Sequence, residues 1–402
     1  MDPVDVLTLR EELIEKATAL HPLLAKNADE AEKQRSLPDE NFKALVEAGM
    51  LRLCTPRRYG GLEAGHRTYL DVVAELARSG CGASSWYGFI LNMTDWIVGG
   101  MHQEAQDAVW GDSPDNVVCC PLTPSPGWKA RRVPGGVRLS GEWGYTSGCM
   151  HASWALLGFP VLDDADNIVD SAVALVPMSE ITIKDTWNVI GMSGTGSNTL
   201  VVDDAFVPDN LTMDMSGPLS NNYPTSHPEE HMFLSDPAAT FWTCVHPSIL
   251  GLAQAALELT QERMTAKPKP ITYTFYQDAT RAPSVQFNIA QAAIMIDAAT
   301  LQARAAADEI DAQSRTGQHL APADRHRNIM RSANMVRLCR GAVDLLLDVQ
   351  GAGAFALANP LQRIWRDLNA CSRHGFNAAG VKHEIYGRSL LGADEQQMTA
   401  FR

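Results

Sequence analysis

Positive charge is scarce in this chain. Its 33 lysines and arginines face 47 aspartates and glutamates, a formal net charge of −14 over 402 residues, with no basic cluster to offset it. A nucleic-acid partner is therefore not expected, because phosphate backbones are held by concentrated positive charge. Long hydrophobic runs are missing too, so no membrane association is expected. Met1-Asp2-Pro3-Val4-Asp5 is acidic where a signal peptide is basic, and the expected location is cytoplasmic. The eight cysteines lack organisation: Cys119 and Cys120 are adjacent, no CxxC occurs, and none has histidines at zinc spacing. That argues against a disulfide framework and a zinc centre. His227 and His231 lie four apart among Pro, Ser and Glu without companion ligands, which reads as a solvated loop, and no metal is expected.

What is present is a globular composition, 45% hydrophobic and 20% charged, in a chain long enough for two or three units packed as one body. Residues 1–116 read as a helical domain. Leu13, Ile14, Ala17 and Leu20 form one apolar stripe. Pro38-Asp39 opens a second helix with Phe42, Leu45 and Val46 on its face, ended by Gly49, and Tyr69, Val72, Val73, Leu76 and Ala77 form a third stripe. Residues 117–215 change to short β-branched or aromatic runs split by turns. Gly135-Gly136 predicts a hairpin between Ala130–Val133 and Val137–Leu139, and Asp163 to Asn167 predicts another turn. Strands without intervening helices indicate an antiparallel β-domain. Residues 216–243 are rich in Pro, Ser, Asn, Asp and His and read as a connection or lid. In 244–402 the helical period returns. Val285, Ile289, Ala292, Ile296, Ala299 and Ala303 follow the start signal Pro283-Ser284, and their small size predicts the close packing of a bundle.

The segment Trp187 to Pro208 carries the strongest local signal. Gly191, Gly194 and Gly196 alternate with Ser193, Thr195 and Ser197 before a β-rich run. Glycines permit close backbone approach, and hydroxyls and free N–H groups bind a polar ring edge or a phosphate. A Gly-rich hairpin accounts for the spacing equally well. Thr199 stands where GxGxxG needs its third glycine, no Lys follows as in a P-loop, and Thr195 breaks GxSxG around Ser193.

Three further segments share an order with this one: Gln350-Gly351-Ala352-Gly353-Ala354-Phe355, Pro360, and Arg363-Ile364-Trp365-Arg366-Asp367. Together they resemble the acyl-CoA dehydrogenase fold. The resemblance implies an α+β architecture of N-terminal helical domain, central antiparallel β-barrel domain and C-terminal four-helix bundle, with a flavin between barrel and bundle. The dehydrogenases commonly carry a Glu-Gly-Thr after Arg-Asp. Here Leu368 to Asn377 contains no carboxylate, and His374 stands in that stretch. A His at this place, with Tyr145-Thr146-Ser147-Gly148 and the downstream His151 and Trp154, resembles the flavin-dependent monooxygenases built on the same fold. These are the oxygenase components of two-component aromatic hydroxylases. The resemblance implies that a separate NAD(P)H-flavin reductase supplies reduced FMN or FADH2. With O2 this gives a flavin hydroperoxide that hydroxylates an aromatic or polycyclic substrate. It also implies a homotetramer. The alternative is an FAD-containing acyl-CoA dehydrogenase-type desaturase.

The resemblance assigns roles residue by residue. His374 is the expected base, since an imidazole titrates near neutrality. Ser147, with Thr146 beside it, is expected at the reactive edge of the flavin, because a hydroxyl both donates and accepts. Trp143, Tyr145, Trp187, Thr195 and Ser197 are expected along the ring and its side chain, with Gln350, Gly351 and Asn377 on the bundle side. Trp143 and Trp187 fit a β-domain core equally well. Arg263 and Arg281 are both candidates for the flavin phosphate and both plausible as surface arginines. Relatives often carry a His after Ser-Ser-Trp. Here Ser84-Ser85-Trp86 is followed by Asn92, Thr94 and Asp95, any of which can take that place. Trp86, Trp96, Phe241 and Trp242 complete a candidate substrate pocket, or an ordinary helix core.

Overall fold

The protein is described by a computed structural model covering residues 3–163, 165 and 167–393. The apolar stripes of the first third become helices α1 (Pro3–Ala19), α2 (His21–Lys26), α3 (Ala28–Gln34), α4 (Asp39–Glu47), α5 (His66–Arg78), α6 (Gly82–Gly99) and α7 (Gln103–Trp110). Pro38 caps α4, and Gly49 turns the chain away at φ +77°. The stripe Tyr69, Val72, Val73, Leu76 and Ala77 is buried in α5, which runs along the later helix His246–Thr265. Helix α6 is apolar nearly all round and almost every residue of it is buried, as befits a helix at the centre of the body.

Eight strands follow: β1 (Val118–Cys119), β2 (Lys129–Val133), β3 (Gly136–Trp143), β4 (Trp154–Leu162), β5 (Ile168–Pro177), β6 (Thr182–Lys184), β7 (Thr199–Pro208) and β8 (Thr212–Asp214). They do not close into the expected barrel. They form two four-stranded sheets, ordered β1-β4-β5-β8 and β2-β3-β7-β6, over a shared core of Val137, Leu139, Trp143, Leu157, Phe159, Val176 and Leu200. Three of the four edge strands, β1, β6 and β8, are only two or three residues long, and among the described residues no ladder joins one sheet to the other. Nor is the domain wholly antiparallel, since β1 enters from α7 and pairs parallel with β4. The first hairpin turns at Pro134-Gly135 rather than Gly135-Gly136. Val133 pairs with Gly136, and Gly135 takes φ +82°.

Beyond β8 come α8 (Ser216–Leu219), α9 (Pro237–Thr243), α10 (His246–Thr265), α11 (Pro283–Ser314), α12 (Pro322–Gln350), α13 (Pro360–Cys371) and α14 (Ala379–Leu391). Val285, Ala292, Ile296, Ala299 and Ala303 are buried on α11, and their small side chains let α11 and α12 pack closely. Among the described residues no helix is long and apolar enough to cross a membrane.

The glycine-rich segment lies where the three parts meet. A 3-10 turn at Ser193–Thr195 packs on α3 and α6. A Cβ on Gly194 would sit 2.9 Å from Ala31 and 3.0 Å from Ala83, and one on Gly191 would collide with the Arg366 carbonyl of α13. These two glycines therefore let the turn pack closely against helices.

Candidate active site

A cavity of about 860 Å³ opens between α6, the β-sheets, α9 and the turn after α13. That volume lies toward the upper end of ligand pockets, which run about 300–1,000 Å³. Trp86, Phe89, Met93 and Ile97 of α6 line one side, and Phe241 with Phe376 another. Trp187 to Met192 form the lip, and Ser147, Thr195 and Ser197 line the β-side. His374 also lines the cavity, edge-on to the rings of Trp86 and Phe89 at 5.7 and 5.9 Å.

The hydroxyls on the β-side form a directed chain. The Trp86 indole N–H donates to Ser147 Oγ at 3.0 Å, Ser147 and Ser197 are 2.7 Å apart, and Ser197 and Thr195 are 2.7 Å apart. Thr195 donates to the Met192 carbonyl at 2.8 Å. Each hydroxyl has one hydrogen. Thr195 has used its own, so Ser197 donates to Thr195 and Ser147 donates to Ser197. At rest, Ser147 therefore meets the cavity with a lone pair, and its proton points along the chain.

His374 follows α13 because the helix ends at Cys371 and the chain turns sharply. Its Nδ1 accepts the Phe376 N–H at 3.3 Å, capping the short turn Gly375–Asn377. The neutral imidazole therefore carries its proton on Nε2. Burial, reinforced by the charge of Lys382, pushes its pKa down to about 4. No carboxylate lines the cavity among the described residues, and its one lining cation, Arg373, is turned to Asn369. Asp367 lies just behind the lip. It is buried, accepts the Met192 N–H at 2.6 Å, and is pushed up to about 6 by burial despite Arg363 and Arg366. Arg35 holds the lip from α3, donating to the Trp187 carbonyl at 3.2 Å and to Asn188 Oδ1 at 3.0 Å.

The structure divides the expected site residues into two groups. Trp86, Thr94, Tyr145, Ser147, Trp187, Thr195, Ser197, Phe241 and His374 line the cavity. Tyr145 is held at φ +58°, largely exposed at the mouth, with its ring 5.4 Å from that of Trp187. The others lie elsewhere. Trp143 is core between the sheets, its indole donating to the Gly158 carbonyl. Thr146 spends its hydroxyl on the Trp143 carbonyl. Asn92 clamps Met50, Gly88 and Cys54, and Asp95 accepts from Thr55. Trp96 donates to Met232 and Ser235, and Trp242 packs on Ile329 and Ile385. Gln350 bonds Thr260 and Asn359, while Gly351 ends α12 on the surface. Asn377 bonds Cys371 and Lys382. It sits in a 3-10 turn after His374, where the same helical face was expected. Arg263 and Arg281 are exposed and away from this chain's cavity. His151 bonds Tyr87 and Asp39, outside the cavity.

Sequence reasoning missed Cys120 to Thr123 and Cys244, which also line the cavity. A signal for the first was available in Gly158, alone in an apolar strand. A Cβ there would collide with Leu122, and the Gly158 N–H donates to the Pro121 carbonyl. Cys244 carried no local signal.

These residues fit a reduced flavin. An aromatic pair at the mouth can cover a ring, the reorientable hydroxyl chain meets a polar edge, and the opposite side leaves an apolar space.

Comparison with known proteins agrees with that fit. Residues 15–110 match the family model "Acyl-CoA dehydrogenase, N-terminal domain", and residues 243–378 match "Acyl-CoA dehydrogenase, C-terminal domain". The chain is 32% identical to the flavin-dependent monooxygenase oxygenase subunit HsaA of Rhodococcus jostii, over 94% of this chain and 98% of that one. It is 29% identical to the oxygenase component of an FADH(2)-dependent resorcinol hydroxylase of a Rhizobium species, over 95% and 94%. Among solved structures, XiaF from a Streptomyces species, in complex with FADH2 and glycerol, superposes with a TM-score of 0.89 at 31% identity, covering 98% of both chains.

Proposed function

The chain belongs to the flavin-dependent monooxygenases of the acyl-CoA dehydrogenase fold, the oxygenase components of two-component aromatic hydroxylases, and from that membership we propose that its own substrate is an uncharged phenol carrying further apolar rings. Reduced flavin and O2 are its co-reactants, and a separate reductase component is its partner. The observation that carries the substrate reading is the make-up of the cavity beyond the lip. It is walled by Trp86, Phe89, Met93, Ile97, Phe241 and Phe376, without a carboxylate and with Arg373 turned away. An anionic substrate would lack a buried cation there, and a cation would lack an anion. Among the described residues no carboxylate lines the cavity, and an imidazole pushed down to about 4 is a weak base for taking a proton from carbon, which also favours this reading over a desaturase.

Bound reduced flavin supplies the electrons that activate O2, so that one oxygen atom enters the ring and the other leaves as water. The chain's residues do the rest. We assign the substrate hydroxyl to His374. An imidazole pushed down to about 4 stays neutral at working pH, so it takes the phenol proton as the ring gives up electron density, not before. Because Nδ1 is engaged by the Phe376 N–H, accepting that proton requires the imidazole to exchange tautomer or release Phe376. We assign the polar flavin edge to Ser147, which accepts at rest and donates once its proton turns from Ser197. The apolar rings of α6 and α9 keep water from the reacting atoms. Arg263 and Arg281 are exposed and do not line this chain's cavity, and we propose that they meet a flavin phosphate from another copy in a homotetramer.

The test is to mix the protein with reduced FMN or FADH2 under nitrogen, add oxygenated buffer with a panel of phenols, and quantify products. Hydroxylated product is expected for neutral multi-ring phenols, with little for phenols bearing a carboxylate. Equal or better turnover of carboxylated phenols refutes the substrate reading.

A further inference from the structure

Lys382 of α14 is fully buried and lies outside the cavity lining. Its ammonium is 2.5 Å from Ser332 Oγ on α12, 3.1 Å from the Trp242 carbonyl at the end of α9 and 3.3 Å from Asn377 Oδ1. It also sits 5.2 Å from the centre of the Trp242 ring. Three N–H bonds thus meet three neutral oxygens, with no carboxylate among the described partners. Ser332 in turn donates to the Trp242 carbonyl at 2.6 Å, which fixes the lone pair that faces the lysine. Two of these contacts lead to the site. Asn377 closes the His374 turn, through its N–H on the His374 carbonyl at 2.7 Å and its amide on the Cys371 carbonyl at 3.4 Å. Trp242 follows Phe241, whose ring stacks on Phe376 at 5.2 Å.

A buried cation without a counter-ion is costly for packing alone, and an apolar side chain would fill the space more cheaply. We propose that Lys382 is a positioning residue of the oxygenation site: its ammonium joins the His374 turn to the Phe241-bearing helix end and sets a buried positive charge against that turn. The proposal rests on the reading of His374 given above. The titratable groups that feel the ammonium are His374 on its turn, His246 at the start of α10 and Cys244 before it, while α12 presents the uncharged Ser332. Burial alone already lowers His374, and the lysine adds to it. Burial also pushes Lys382 itself down to about 7, so it carries its charge through the acid range in which the imidazole would otherwise protonate.

The test compares Lys382→Gln, which keeps two donors and removes the charge, with the wild type, His374→Asn and the double variant. The first readout is the melting temperature of the flavin-free protein against pH. A histidine held neutral when folded binds fewer protons than when unfolded, so stability falls as pH drops from about 6.5 toward 4. Lys382→Gln should flatten that fall, and part of the flattening should vanish in the His374→Asn background. The second readout is hydroxylated product per reduced flavin between pH 5 and 8. The wild type should stay level, and Lys382→Gln should lose about half its product near pH 5 as an acid limb moves up by about one unit. A melting profile parallel to wild type, or a product yield as level as wild type, overturns the proposal. If Lys382→Gln does not fold, Lys382→Met carries the test. It fills the same apolar space without the charge, so the same shifts must appear, and unshifted profiles overturn the proposal. Failure of the His374 reading is separately visible, as full hydroxylation by His374→Asn at every pH.

Discussion

The directed hydroxyl chain makes Thr195→Val an informative substitution. Valine has nearly the volume of threonine, and the Met192 carbonyl keeps two other donors, the Thr195 N–H at 3.1 Å and the Trp187 indole at 3.1 Å. What the substitution removes is the acceptor for the Ser197 proton. Ser197 then donates back to Ser147, and the Ser147 proton is released toward the cavity. In the wild type, turning that proton to a ligand breaks one hydrogen bond of the chain, wherever along it the break falls. A neutral hydrogen bond contributes about 1 kcal/mol net, so Thr195→Val should bind reduced flavin about fivefold more tightly. The free protein loses two hydrogen bonds, Thr195 to Met192 and Ser197 to Thr195, and should unfold about 1–2 kcal/mol more readily. Ser147→Ala should do the opposite to flavin and leave the Trp86 indole without its acceptor. The assay is anaerobic titration of reduced flavin, followed by fluorescence. If Thr195→Val weakens binding as Ser147→Ala does, Thr195 touches the flavin directly and the chain's direction is irrelevant to binding.

Other substitutions probe the lip and the base. Gly191→Ala would drive a methyl into the Arg366 carbonyl, so it should cost about 2 kcal/mol or more of stability and loosen flavin binding, read by melting and titration. Asp367 is pushed up to about 6, so it holds more protons folded than unfolded between its ordinary 3.8 and 6, and its contribution to stability is lost as pH rises through that window. Asp367→Asn should remove that loss while its amide oxygen still accepts the Met192 N–H. Its melting temperature relative to wild type should therefore rise from pH 4 to pH 7, and a constant difference refutes the assignment. His374→Ala should keep reduced-flavin affinity within a few-fold while product gives way to hydrogen peroxide, measured as product per oxygen consumed.

Much of the site was legible because its signals are local. The stripe on α5, the start of α11 at Pro283, and the absence of a carboxylate between Leu368 and Asn377 are all read within one element. Misreadings arose where one stretch offers several equivalent polar groups. Asn92, Thr94 and Asp95 all follow Trp86 on α6, but only Thr94 reaches the cavity, because Asn92 and Asp95 face the segment Met50–Thr55. The barrel failed to close for a related reason: strand propensity says nothing about whether an edge is long enough to find a partner.

By itself the sequence determined the succession of helices, strands and bundle, and the replacement of a carboxylate by an imidazole, since periodicity and residue type act over a few positions. Tertiary structure alone decided which hydroxyls are free to meet a ligand and which buried cation is bonded to the turn that carries the imidazole. Trp86 and Ser147 are 61 positions apart, Lys382 and Trp242 are 140, and Met192 and Asp367 are 175. A proton's direction or a buried charge depends on the partner across the contact, and no pattern within a single element names that partner.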